Sequence, residues 1–334
     1  MKKEIPRLKE VFKDDFKIGA AVNKWTLHSA KDLVTTQFNS ITAENEMKPE
    51  MLQPEEGEFD FDYSDQLVSF ANEHNLGVRG HTLVWHNQCP NWMFKNESGQ
   101  TVDRERLLKR MDQHIETVVS RYVNQVYSWD VVNEVIADEE DRFLRQSQWL
   151  ELAGEEFIER AFHTANKADP NATLFYNDYN ESDPIKRDKI YKLVKSLLEK
   201  KVPIHGVGMQ AHWNIHTPSI EHIQQAIELY ASLGLEVQIT EMDLSVFSWE
   251  DKRTDLLAPT KEMLALQERR YEQMFNLFRE YRDVISSVTF WGGADDYTWL
   301  SNFPVKGRKN WPFLFDEYFN PKQSFWKVVQ KSEG

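Results

Sequence analysis

The sequence predicts a (β/α)8 TIM barrel, a single α/β catalytic domain over residues 1–334. Three observations carry this reading. Eight short apolar or β-branched runs recur along the chain, helical patterns lie between them, and no Gly-rich phosphate loop follows the first run. The missing loop disfavours the competing architecture, an open doubly wound sheet. Length alone suggests two domains, but barrels of 334 residues form one, and no Pro/Gly/Ser linker, low-complexity tract or charge block divides this chain.

The runs are Phe16–Val22, Phe38–Ala43, Leu76–Trp85, Val126–Val132, Thr173–Tyr176, Gly206–Ala211, Val237–Thr240 and Val288–Trp291. Each is short enough for a strand and rich in residues that suit a buried sheet. Between the third and fourth lies Asp103–Tyr122, where Leu107, Leu108, Met111, Ile115, Val118 and Val119 form one helical face. Ile185–Lys200 repeats the pattern with Ile190, Leu193, Val194, Leu197 and Leu198. Ile220–Leu233 does likewise, with Pro218 and Ser219 as its start and Gly234 as its stop. Glu262–Tyr281 is the last clear helix.

Composition narrows the function. A net charge of −14 argues against nucleic acid or an anionic membrane as partner. No run of 18 apolar residues predicts a membrane span. The charged start, Met1-Lys2-Lys3-Glu4, lacks the apolar stretch of a signal peptide, so a cytoplasmic protein is expected; a secreted chain already shorn of its leader is the alternative. Cys89 is the only cysteine, which excludes an internal disulfide and reads as a packing residue. Eleven tryptophans include more than a core requires, and an indole face suits the apolar face of a pyranose. Lys306, Arg308 and Lys309 read as a solvated basic loop.

In a barrel, chemistry collects where strands end. Here the segments after the runs are rich in Asn, Gln, His, Glu and Trp: Glu44-Asn45 and Lys48 after the second, His81 to Gln88 in the third, Tyr176 to Asn180 after the fifth, Gln210 to Trp213 after the sixth, Trp291 to Asp296 and Trp299 after the eighth. Amides and carboxylates for hydroxyls, with indoles for ring faces, make a set for a polyhydroxylated ligand. They do not make a metal set, since the histidines are scattered and His81 and His86 are badly spaced to chelate. No Gly-x-Ser-x-Gly elbow is present, so carboxylate chemistry is the strongest class. Glu134 ends the fourth run and Glu241 the seventh, so the scaffold places both, and two facing carboxylates can share the work of cleaving one glycosidic bond.

Together these segments resemble glycoside hydrolase family 10, the β-1,4-xylanases, from Ile18–Asn23 to Phe313–Asp316, and in particular the intracellular xylanases of bacilli. The resemblance implies a retaining endo-1,4-β-xylanase that cleaves xylan and xylo-oligosaccharides by double displacement through a covalent glycosyl-enzyme, without a cofactor. By the same resemblance Glu134 is the acid/base and Glu241 the nucleophile. Glu44, Asn45, Lys48, His81, Trp85 and Gln88 match glycone-side contacts; Asn133, Gln210, Trp291 and Trp299 match further sugar contacts; Tyr179 matches an aglycone-side aromatic. His212 matches the histidine that bonds the nucleophile, with Asp243 behind it. Gln210 is expected to be a second donor to Glu241, and the Glu241 anion is expected to keep Glu134 protonated. Two other functions fit the same residues: a glycosidase of this mechanism on another β-glycan, such as a cellobiosidase, and a sugar-binding barrel without catalysis. Oligomeric state is left open.

Overall fold

The structure is a computed structural model describing residues 4–330. Eight parallel strands run β1 Lys17–Val22, β2 Ser40–Ala43, β3 Gly77–Val84, β4 Val126–Asn133, β5 Thr173–Asp178, β6 Gly206–Met209, β7 Glu236–Ser245 and β8 Ile285–Phe290. Each pairs with its neighbours in sequence, and β8 returns to β1 with Lys17 opposite Ser287, closing the barrel. Closure leaves no unpaired edge among these strands.

All four expected helices form, at Arg104–Arg121, Pro184–Glu199, Ile220–Ala231 and Lys261–Glu280. Their starts are set by side chains that accept the first free amides: Asp103 from Arg106 N, Asp183 from Ile185 and Lys186 N, Ser219 from His222 N, and Thr260 from Met263 N. The helix Ile220–Ala231 stops short of Leu233, and Gly234 then takes a φ of +76°, which only glycine adopts at little cost.

The strand bounds shift from the expected runs, and the shifts that shape the site are at the catalytic ends of β4 to β7. β4 continues to Asn133 and β5 to Asp178, so polar side chains stay within the hydrogen-bonded ladder. β6 stops at Met209 instead of Ala211, because Ala211 turns to φ +60°. The chain resumes as a short strand, His212–Asn214, that pairs with the far half of β7, and this doubles β7 relative to its apolar run.

One apolar layer lies between the barrel and the helices, where Trp129, Val131, Leu107, Met111 and Ile115 are sealed from solvent. The barrel interior is instead polar at the level of β3, β4 and β7. The Arg79 guanidinium grips both oxygens of Asp130, and its Nε donates to Gln238 at 2.6 Å. Arg308 corrects the sequence reading. It is 2% exposed, with its guanidinium 4.1 Å from the Phe247 ring centre and bonded to the Asp251 carbonyl, because an arginine stem and plane can cover an aromatic face.

Gly80 marks a close approach. A Cβ there would lie 2.1 Å from Cε3 of the Trp129 indole, which has no room to retreat. Gly80→Ala is therefore expected to lower unfolding free energy by about 1–3 kcal/mol, read as a shifted urea midpoint with an unchanged slope.

Candidate active site

The catalytic end of the barrel holds a cleft of about 700 Å³. Every side chain assigned to sugar or chemistry lines it: Glu44, Asn45 and Lys48 after β2, His81, Trp85 and Gln88 from β3, Asn133 and Glu134 from β4, Tyr179 after β5, Gln210 and His212 after β6, Glu241 from β7, and Trp291 and Trp299 after β8. Asp243 stands behind His212 and is fully buried.

Backbone bonds carry the barrel ladder into the site. Glu134 N donates to the Asn177 carbonyl at 2.9 Å, Gln210 N to that of Asp178 at 3.0 Å, and Glu241 N to that of Gln210 at 3.0 Å. Glu134 itself sits at φ +59°, a sparsely populated region for a residue with a Cβ, held there by the strands on either side. The turn aims its side chain across the cleft mouth.

The side chains form one connected set. Trp85 Nε1 donates to Glu134 Oε2 at 2.8 Å, and Gln210 Nε2 donates to Glu134 Oε1 at 2.9 Å. The Asn177 amide donates to Glu241 Oε1 at 2.8 Å and to Asn133 Oδ1 at 2.9 Å. Swapping the Asn133 amide would instead set it 3.2 Å from both the Asn177 carbonyl and Trp85 Nε1. The first orientation is preferred, because the Asn177 amide is fixed by Thr240 and Glu241, while the Trp85 hydrogen is already given to Glu134. Gly208 makes room for this hub, since a Cβ there would lie 2.3 Å from Asn177 Oδ1.

Around Glu241, His212 Nε2 lies 3.1 Å from its Oε2, and His212 Nδ1 lies 2.9 Å from Asp243 Oδ2. Trp299 Nε1 donates to that same Asp243 oxygen at 2.7 Å. His81 Nδ1 stands 2.8 Å from Asp130 and 3.8 Å from Glu241 Oε1.

The two glutamates are driven in opposite directions. Burial raises the pKa of Glu134, and the nearby Asp178 anion raises it further; bonds from Gln210 and Trp85 oppose this, and Glu241 adds a smaller push. Burial acts upward on Glu241 too, but His81 and then His212 outweigh it and leave its pKa lowered. Two expectations are thereby corrected. Gln210 donates to Glu134, and Asn177 takes the place expected of it at Glu241. Asp178, ahead of Glu241, is the main charge that raises the Glu134 pKa, after burial itself.

On one side of the cleft, Lys48 Nζ donates to Gln88 at 2.8 Å and to Asn45 at 3.1 Å, and stands 5.0 Å from the Trp85 ring centre. Burial lowers its pKa, offset in part by Glu241, Glu44, Glu134 and Glu46. Glu44, raised by burial, accepts from Asn23 at 2.6 Å. On the opposite side the Tyr179 hydroxyl is bonded to Asp138 and lies 2.7 Å from Arg145, and the Lys186 ammonium rests 3.6 Å from its ring centre. Among the described residues no group of three or more His, Cys, Asp or Glu is placed to hold a metal ion. Burial pushes the Cys89 thiol pKa up, away from a reactive thiolate.

A model of glycosyl hydrolase family 10 matches residues 7–331. The chain belongs to this family. It is 57% identical over 329 residues to endo-1,4-beta-xylanase B of Paenibacillus barcinonensis, covering 98% of this chain and 99% of that one. It is 58% identical over 326 residues to an endo-1,4-beta-xylanase of Geobacillus stearothermophilus, covering 97% and 98%. Among solved structures, a xylanase of Paenibacillus barcinonensis in complex with a conduramine derivative superposes with a TM-score of 0.97 at 57% identity, covering 98% and 99%. A mutant solved with xylotriose superposes with a TM-score of 0.96 at 50% identity, covering 98% and 100%.

Within this family member several cleft residues escaped the sequence reading. Arg145 donates to the Glu134 carbonyl at 2.9 Å, yet it lies in a loop with no motif to flag it. Trp249 and Phe303 extend the wall beyond Trp299, whose ring stacks on Phe303 at 5.2 Å. Asn177 was visible only as part of a polar run. His86 lines the cleft as a neutral ring, its pKa lowered to about 4 by burial and then by Arg145.

His212 supplies a pH test. Burial disfavours its charge, but Asp243 and Glu241 hold the proton and raise its pKa from 6.5 to about 10. A raised folded pKa gives stability that is complete below the unfolded value and lost as pH climbs through the folded one. Unfolding free energy is thus expected to fall between roughly pH 6.5 and 10, and His212→Gln should flatten that slope in denaturant titrations.

Proposed function

We propose that this chain is a retaining endo-1,4-β-xylanase acting on xylan and xylo-oligosaccharides by double displacement. One observation carries the reading: two buried glutamates, joined through Asn177, Asn133 and Gln210, have their pKa values pushed in opposite directions. An acid that keeps its proton beside an anion that keeps its charge is what a glycosidase of this kind needs. Family membership and the names of the relatives support the choice of β-1,4-xylosidic bonds.

In the first step Glu134 gives its proton to the glycosidic oxygen while Glu241 attacks the anomeric carbon. The bond to the leaving sugar breaks, and an ester between Glu241 and the glycone forms. The Glu241 charge is now gone, so one contribution holding the proton on Glu134 disappears. Glu134, ionised, takes a proton from water, whose oxygen displaces Glu241 and restores the first configuration. Trp85 and Gln210 steady both oxygens of Glu134 through this exchange. Asn133, which accepts from Asn177 and Gln210, bonds the 2-hydroxyl of the sugar under attack, a contact that tightens in the transition state. The Asn45–Lys48–Gln88 group serves glycone hydroxyls, and Tyr179 offers a face to the aglycone.

Proton NMR of xylohexaose hydrolysis should show the β-anomer first; initial release of the α-anomer would defeat the retaining assignment. Glu241→Ala is expected to lower kcat by roughly 10⁴-fold or more with its melting transition kept. Asn133→Ala should lower kcat by about 10²-fold with a much smaller rise in KM, and a change confined to KM would remove its transition-state role.

A further inference from the structure

Of the tryptophans, Trp25 alone is largely in water, at 64% exposure. It lies three residues beyond the end of β1, on the same end of the barrel as the cleft, but it does not line the cleft. An indole left in solvent gains nothing from folding, and its position is nevertheless fixed. Its backbone N–H donates to Asn23 Oδ1 at 3.0 Å, and the Asn23 amide donates in turn to Glu44 Oε2 at 2.6 Å. Asn23 is buried and Glu44 lines the cleft, so two hydrogen bonds separate the Trp25 backbone from the glycone wall.

The ring is also buttressed. The Lys24 ammonium stands 4.5 Å from the centre of the Trp25 ring and 5.2 Å from that of Tyr63, itself 40% exposed on the helix Asp62–Glu73. Lys24 is tethered by its own N–H, which donates to Glu46 Oε1 at 2.9 Å. A cation between two aromatic faces orients both rings, at little entropic cost to a ligand that later meets them. The result is an exposed, buttressed aromatic ring linked through Asn23 to the Glu44 wall of the cleft.

We infer that Trp25, with Lys24 and Tyr63 behind it, is a distal glycone platform on which a xylosyl ring stacks, beyond the sugars held over Glu44 and Asn45. This rests on the xylanase reading above, which names the sugar and the glycone direction. The platform engages only chains long enough to reach it and so raises the preference of the enzyme for long substrates over short ones.

The test is steady-state hydrolysis of xylotriose and xylohexaose by the wild-type chain and by Trp25→Ala, with melting curves as a check on folding. Wild-type turnover of either sugar reports the xylanase reading by itself. The inference is read from the ratio of kcat/KM on the hexaose to that on the triose, which should fall about 3- to 10-fold in Trp25→Ala, in proportion to one lost stacking contact. Trp25→Phe should recover part of that ratio. With reducing-end-labelled xylohexaose, loss of the platform should move cleavage toward the non-reducing end, since fewer sugars are retained on the glycone side. An unchanged ratio, an equal loss on both sugars, or a shift of cleavage in the other direction would each overturn the inference.

Discussion

The ion pair between Arg79 and Asp130 is the constraint on which the rest of the site depends. Both side chains are sealed inside the barrel, at 1% and 0% exposure, where each ion would cost several kcal/mol if left alone. They are tolerable there only because every strong group has a partner. Arg79 spends its guanidinium edge on Asp130 and its Nε on Gln238, which ties β3 to β4 and both to β7. Asp130, with its pKa lowered by Arg79 against the effect of burial, is left as a fixed anion that also holds His81. His81 then faces Glu241. A chain of polar contacts thus runs from the barrel centre to Glu241, and the strands that carry it are the ones that must not shift.

The two carboxylates receive their roles from different halves of the barrel. The β3 and β6–β7 side supplies His81 and His212, and so an anion is favoured there. The β5 side supplies Asp178, whose own pKa is raised by burial despite Lys186, and so a proton is favoured on Glu134. Asn177, next to Asp178 in sequence, points its amide the other way, at Glu241 and Asn133. Alternation along one strand lets adjacent residues of β5 act on Glu134 and Glu241 separately.

The barrel and the pair of glutamates were legible in sequence because both follow from periodicity and position. Eight buried runs can be counted, and a carboxylate at the end of such a run has few places to go. Charge balance was legible only in part, since it depends on which side chains burial brings into contact across strands. That is why Gln210 was expected at Glu241 but bonds Glu134, and why Asp178, quoted only as part of a polar run, emerged as the stronger electrostatic neighbour. Arg308 shows the same limit: a Lys-x-Arg-Lys cluster looks solvated until Phe247 is found under the guanidinium. Arg145, Trp249 and Phe303 lie in loops whose course no local pattern fixes.

The bond from Trp299 to Asp243 joins two things usually treated apart, the shape of the binding wall and the charge of the reacting centre. Asp243 Oδ2 is shared between the Trp299 indole and the His212 ring, so the hold of the carboxylate on the imidazole depends on where the indole stands. An indole moved off that oxygen would leave more of the carboxylate charge for His212 to neutralise. Less of the imidazolium field then remains for Glu241. One oxygen atom thus couples the position of a cleft wall to the charge set beside Glu241.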